Sequence, residues 1–339
     1  MDILLPSQAS SGPSHNNASA SWQRSLQQAI RNPETLLEHL GLSATQLPID
    51  IANTFSLKVP LEYVAKMRQS DPTDPLLRQV LPLDEENNRA AGFNTDPVGD
   101  LNARQSPALL QKYQHRMLVL VTGACALHCR YCFRRCYPYG ETGHAEMQQQ
   151  LMQIRTQKQI HEVILSGGDP LLLSDSHLTA WIQALSAIKH VQRLRIHTRL
   201  PVVLASRITD ALLSSLQESR LQVFMVIHSN HANELDETSA NALQQLRQAD
   251  CTLLNQTVLL KGVNDQAETQ IALHTRLGEL QVLPYYLHLL DRVQGAAHFE
   301  VAESQALSLM KAMREALPGY LVPRLVREEA GKAYKTPVY

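Results

Sequence analysis

With 339 residues, 44% of them hydrophobic and 19% charged, the chain can bury one substantial core or two modest ones, which excludes a wholly disordered protein. Its 31 basic and 32 acidic residues leave a formal charge of −1, so no global field draws in nucleic acid or an anionic membrane. Any partner has to be recognised locally.

The first residues, "MDILLPSQASSGPSHNNASASWQ", lack a basic leader and offer only Ile3, Leu4 and Leu5 as an apolar run. That is too short for a signal peptide. No later apolar run approaches the ~20 residues of a membrane helix, so a cytoplasmic protein is expected. Residues 1–20 are expected to form a mobile tail, being rich in Ser, Asn, Ala and Gln. From Trp22 to Arg68, apolar residues recur at helical spacing through "LQQAIRNPETLLEHLGL" and "PLEYVAKMRQS", with breaks at Asn32-Pro33 and Gly41. Residues 70–110 carry prolines and few apolar runs and read as an extended segment over another domain. Together, 21–110 form a helical and extended N-terminal region.

Beyond residue 110 the pattern becomes a regular alternation. Strands are expected at 117–122, 162–167, 193–198, 222–228, 252–259 and 282–290, with amphipathic helices near 144–158, 176–187, 209–218, 235–248, 266–278 and 302–315. Six β-then-α units in a row imply a parallel sheet, in a doubly wound fold or a barrel. The chemically loaded residues fall at or just after strand C-termini: the cysteines, "GGDP", His197, His228, Asn255-Gln256 and Asp291. Such convergence is a property of barrel mouths.

Cys125, Cys129 and Cys132 form a CxxxCxxC pattern in the loop after the first of these strands. The odd cysteine count, crowded into one loop, speaks for reduced thiols rather than a disulfide scaffold. Three thiolates can hold a 4Fe-4S cluster and leave one iron open for another ligand. The alternative is a structural zinc site completed by Cys136 or His128, although the second CxxC pair usual for zinc is missing. Cys251, at the start of an expected strand, reads as a buried apolar residue.

CxxxCxxC with Tyr131 before the last cysteine resembles the radical S-adenosylmethionine (SAM) enzymes. That resemblance implies a partial (β/α)6 TIM-like barrel over 111–320, a 4Fe-4S cluster on the three cysteines, and SAM chelating the open iron and splitting to a 5′-deoxyadenosyl radical. Gly167, Gly168 and Asp169 of "LSGGDPLL" match the glycine-rich element that approaches the methionine part of SAM. Glycines permit such an approach because no Cβ intervenes.

The pieces "KYQHRMLVLVTGACALHCRYCFRR", "SGGDP", "RLRIHTRLPVV", "HSNHANE", "LLNQTVLLKGVND", "PYYLHLLD" and "KTP" make the chain resemble the lysine 2,3-aminomutases from about residue 73 onward. Among these it is most similar to the short enzymes that supply (R)-β-lysine for modifying elongation factor P. The resemblance implies conversion of L-α-lysine to (R)-β-lysine by 2,3-amino migration. It also implies pyridoxal 5′-phosphate (PLP), held as a Schiff base on Lys335 of the C-terminal segment 321–339. Lys332 is a rival, since the family's glycine-rich run before the lysine is reduced to Gly331. Arg116 and Lys112 align with residues that meet the PLP phosphate, and Asn255 and Gln256 with the polar pair beside PLP. His228 aligns with a histidine near the adenosyl group and Arg134 with the arginine for the substrate carboxylate. Asp291 and Glu328 align with the acids for the distant ammonium, Glu328 being one methylene longer than the family's residue. The implied partners are lysine, a reducing protein such as flavodoxin or ferredoxin, and, through the product, elongation factor P and its lysine ligase. A radical enzyme acting on another amino acid such as glutamate, and a zinc-stabilised binding module, are the alternatives.

Overall fold

The computed structural model describes residues 16–141 and 147–339. The expected tail at 1–20 therefore lies mostly outside the described residues, and helix α1 (Asn16–Gln27) begins within it. The start of the helix expected at 144–158 lies outside them too.

One ten-stranded sheet organises the chain, its strands adjacent in sequence order. They are β1 (Arg104–Ser106), β2 (Leu109–Leu110), β3 (Arg116–Thr122), β4 (Glu162–Gly167), β5 (Arg193–Thr198), β6 (Gln222–His228), β7 (Thr252–Val258), β8 (Leu283–His288), β9 (Arg324–Arg327) and β10 (Thr336–Pro337). Pairing is parallel from β3 to β9 and antiparallel at β1–β2, β2–β3 and β9–β10. The sheet is not closed, as expected of a partial barrel. The six expected strands match β3 to β8 within a residue or two at nearly every end. β9 and β10 have no period long enough to be seen in sequence; they extend the sheet by pairing with a preformed edge.

Short helices α2 (Pro33–His39), α3 (Leu61–Val64) and α4 (Pro75–Arg78) precede the sheet. Along it run α5 (Met147–Thr156), α6 (Asp175–Ser186), α7 (Leu200–Val203), α8 (Asp210–Gln217), α9 (Glu237–Gln248), α10 (Ala267–Glu279) and α11 (Glu303–Ala316). Their starts are chemically marked: Ser174, Thr209 and Asp236 accept from backbone N–H groups of α6, α8 and α9. Their inner faces follow helical spacing, as in α6, where Leu178, Trp181, Ile182 and Leu185 are buried. Each such residue stabilises the layer by roughly 1.5–3 kcal/mol through burial.

The other sheet face lines a cavity. Because side chains alternate along a strand, Leu194 and Ile196 of β5 pack against helices while Arg195 and His197 face the opening. The same alternation puts Arg116 and Leu118 of β3, Ile164 and Ser166 of β4, and Gln256 and Val258 of β7 on the cavity wall. Residues 53–86 of the N-terminal region lie against the loop that follows β3.

Candidate functional site

That loop carries the cysteine pattern and is fastened from outside the sheet. His128 N–H donates to the Lys58 carbonyl (3.0 Å), Arg130 N–H to the Gln79 carbonyl (2.9 Å), and Lys58 Nζ to the Cys125 carbonyl (2.6 Å). The fully buried Arg130 donates to Glu86 at 2.7 and 2.6 Å, and Arg135 donates to the same carboxylate at 2.7 Å. One buried acid between two guanidinium groups compensates its own desolvation and fixes both ends of the loop.

Cys125, Cys129 and Cys132 all line one cavity of about 430 Å³ at the C-terminal ends of the strands. Burial pushes the Cys125 thiol well up, and it pushes Cys132 up to about 11, each aided by the neighbouring sulfurs. Three thiols gathered on one cavity wall, with Cys125 and Cys132 held protonated by burial and by neighbouring sulfur, suit a multinuclear cationic centre that relieves the repulsion between thiolates. Among the described residues no three His, Cys, Asp or Glu side chains gather as one metal ion requires. The residues proposed to complete a zinc site are engaged elsewhere. Cys136 is exposed and lines a separate small crevice with Thr95 and Pro138, and His128 bonds the Ser56 carbonyl (2.7 Å) and stacks on Phe55. Cys251 is buried in the core, as its place in the sequence suggests.

The glycines at the end of β4 serve a purpose that the sequence reading did not foresee. A Cβ on Gly167 (φ +122°) would stand 2.2 Å from the Thr122 carbonyl oxygen, and one on Gly168 2.1 Å from that of Ala124. Their bareness lets this loop seal against the cysteine loop, with Gly168 N–H on Thr122 and Asp169 N–H on Ala124, both at 2.8 Å. The Asp169 carboxylate is also spent on the scaffold. It accepts from Thr198 Oγ1 (2.7 Å), Arg199 N–H (2.7 Å) and Leu171 N–H (3.1 Å), while burial pushes it up to about 6. Gly167, Gly168 and Asp169 all line the cavity.

Across the opening, Arg134 is buried. Its Nε donates to Asp100 (2.6 Å) and its Nη1 to Ser166 (3.1 Å), so Nη2 is left without a partner among the described residues. Burial pushes Asp100 up, but Arg134 and Lys112 outweigh it and hold the carboxyl below its usual range. Lys112 Nζ is held by Asp100 (2.7 Å) and the Val98 carbonyl (2.8 Å), which occupies the ammonium expected to meet a phosphate. Arg116 instead has no carboxylate partner among the described residues and stands over the Tyr113 ring, 4.4 Å from its centre.

Lys335 lines the cavity and pairs with Glu328, which also accepts from the Tyr113 hydroxyl at 3.1 and 3.3 Å. The exposed Lys332 does not line it. Asp291 has no ion-pair partner among the described residues. Burial pushes it up to about 7, with Lys335 opposing and Glu328 adding to the shift.

Asn255 and Gln256 part company. Gln256 faces the cavity beside its register partner His228, whereas Asn255 is buried on the other face, bonded to Ser229 N–H (2.9 Å), the Ser229 carbonyl (3.1 Å) and Thr257 (2.8 Å). The expectation that Asn255 lies beside a cofactor is corrected by strand alternation, since neighbours in a strand cannot both face one side. His228 Nε2 is 2.8 Å from the Tyr131 hydroxyl, and burial lowers its pKa well below the usual value, so the ring is neutral. Tyr131 was picked out only as the aromatic before the last cysteine, and Asp100, Tyr113 and Arg199 were not singled out from sequence. Only Arg199, directly after a strand in "HTRLP", had a positional signal.

Residues 119–272 match the family model described as the Radical SAM superfamily. Over 319 residues the chain is 47% identical to the L-lysine 2,3-aminomutase of Haemophilus influenzae, covering 93% of this chain and 94% of that one. It is 44% identical to the enzyme of that name from Escherichia coli over 322 residues (94% of each). With that from Clostridium subterminale it shares 34% identity over 322 residues, which are 94% of this chain and 77% of the relative.

Proposed function

Because this chain belongs to the L-lysine 2,3-aminomutase family of radical SAM enzymes, an isomerase family using a 4Fe-4S cluster and SAM, we propose that it converts L-lysine to (R)-β-lysine. We assign the cluster to Cys125, Cys129 and Cys132, and a third cofactor, PLP, to Lys335. The observation that carries this is the gathering in one cavity of three thiols, a lysine amine, and a guanidinium edge and a carboxylate that have no partner among the described residues. The donor set fits PLP as well: Arg116, without a carboxylate partner among the described residues, stands at the cavity wall to take a phosphate, and Gln256 can bond a ring substituent.

When bound, the cluster and SAM supply one-electron chemistry, and PLP supplies a conjugated carbonyl for the migrating amine. The chain's part is positioning. Arg134 offers Nη2 to the substrate carboxylate, and Asp100 keeps the guanidinium from turning away. Asp291 receives the side-chain ammonium at the far end, and Glu328 holds the Lys335 ammonium at the wall. Two carboxylates at that end favour lysine over glutamate, whose side chain they repel. Neutral His228 and Tyr131 bound the cavity on the cysteine side, where SAM is expected.

We further propose, from the resemblance of its motifs to the short enzymes alone, that the product serves to modify elongation factor P. Among the described residues no helix is long and apolar enough to cross a membrane, which is compatible with a cytoplasmic role. Anaerobic incubation with lysine, SAM, PLP and dithionite tests the reading. Formation of β-lysine is expected; turnover of glutamate instead, or none with a full cluster, would overturn it. Loss of β-lysyl groups from elongation factor P on gene deletion tests the cellular role.

A further inference from the structure

Arg199, the first residue after β5, is buried on the cavity wall, and its Nη1 donates to the Cys129 sulfur at 2.8 Å. The rest of the side chain is tied down. Nη2 donates to Gln79 (2.8 Å), Glu234 (3.0 Å) and Tyr63 (3.2 Å), the guanidinium lies over the rings of Tyr63 and Tyr131, and the backbone N–H is on Asp169. The fork cannot swing toward solvent, so it stays aimed at sulfur.

We propose that Arg199 tunes the iron–sulfur centre: its N–H···S bond withdraws charge from the Cys129 thiolate and makes the cluster easier to reduce, while Glu234 limits the effect by partly neutralising the guanidinium. Hydrogen bonds to cluster sulfurs and nearby charge are established levers on reduction potential, because the reduced cluster carries one more negative charge. This rests on the assignment of the three cysteines to the cluster, and not on which amino acid is turned over.

The test is a redox titration of anaerobically reconstituted full-length protein, read by electron paramagnetic resonance, with iron and sulfide content measured on each sample. Arg199→Met should lower the reduced-to-oxidised ratio at a fixed potential by about tenfold, the scale of one charge-assisted hydrogen bond, with Arg199→Lys in between. Glu234→Gln, which keeps the arginine but removes its counter-charge, should shift the ratio the opposite way. A purely structural role would change cluster content without these opposed shifts. Unchanged ratios in variants holding about four irons, or all shifts in one direction, overturn the proposal. Should neither Arg199 variant retain a cluster, Glu234→Gln alone decides by its sign. A wild-type chain that takes up no iron and sulfide would instead sink the cluster assignment.

Discussion

Replacing Asp291 by Asn should strengthen the empty protein and weaken its grip on lysine. The displacement of this carboxyl from 3.8 to about 7 corresponds to roughly 4 kcal/mol against ionisation, as an upper bound. An acid raised in the folded state holds its proton where the unfolded chain has lost it. Wild-type stability therefore falls between pH 4 and pH 7 and then levels, and the Asn variant escapes that fall. Above pH 7 the variant's Tm should exceed wild type by several degrees, at about 2–4 °C per kcal/mol for chains of around 200 residues. Lysine binding reverses the sign, because an ammonium opposite the ionised carboxylate gains about 1.5–3 kcal/mol through a charged hydrogen bond. Loss of it should raise KM roughly 10- to 100-fold. In wild type, KM should fall as pH rises through 7, as the free carboxyl ionises. Thermal unfolding of the cofactor-free protein across pH 5–9 and anaerobic β-lysine assays across lysine concentrations measure both. A variant with wild-type KM and no gain in Tm at pH 8 would refute Asp291 as the ammonium acceptor.

Lys335→Ala should abolish borohydride trapping of PLP while Lys332→Ala leaves it intact; trapping at Lys332 would move the assignment. Glu86→Ala leaves Arg130 and Arg135 buried without their acid, which should cost about 3–5 kcal/mol and release iron from reconstituted protein, read by denaturant unfolding and metal analysis. Asn255→Ala should destabilise by about 1–3 kcal/mol with little change in PLP affinity, because it strands the Ser229 backbone groups. Gln256→Ala should do the reverse, and equal effects of the pair on PLP binding would contradict their opposite facing.

Local pattern decided much of this protein before any fold was known. The six β-then-α units and the cysteine loop after the first of them are written in periodicity and spacing, because neighbouring residues create them, whereas Lys335 stood out only through the family resemblance of Lys-Thr-Pro. What the chain does with distant residues was illegible. Asp100 meets Arg134 across 34 positions and Arg199 meets Cys129 across 70, and in sequence "VGDL" reads as a turn and "HTRLP" as a strand end. Lys112 likewise reads as a phosphate ligand until the fold delivers Asp100 to it, and Asn255 reads like Gln256 until the sheet gives each a face. Short strands β9 and β10 exist only because an edge awaits them. Backbone preference acts over a few residues, whereas the orientation and charge of a buried side chain are set by whatever the fold packs against it, and that is where the tertiary structure was needed.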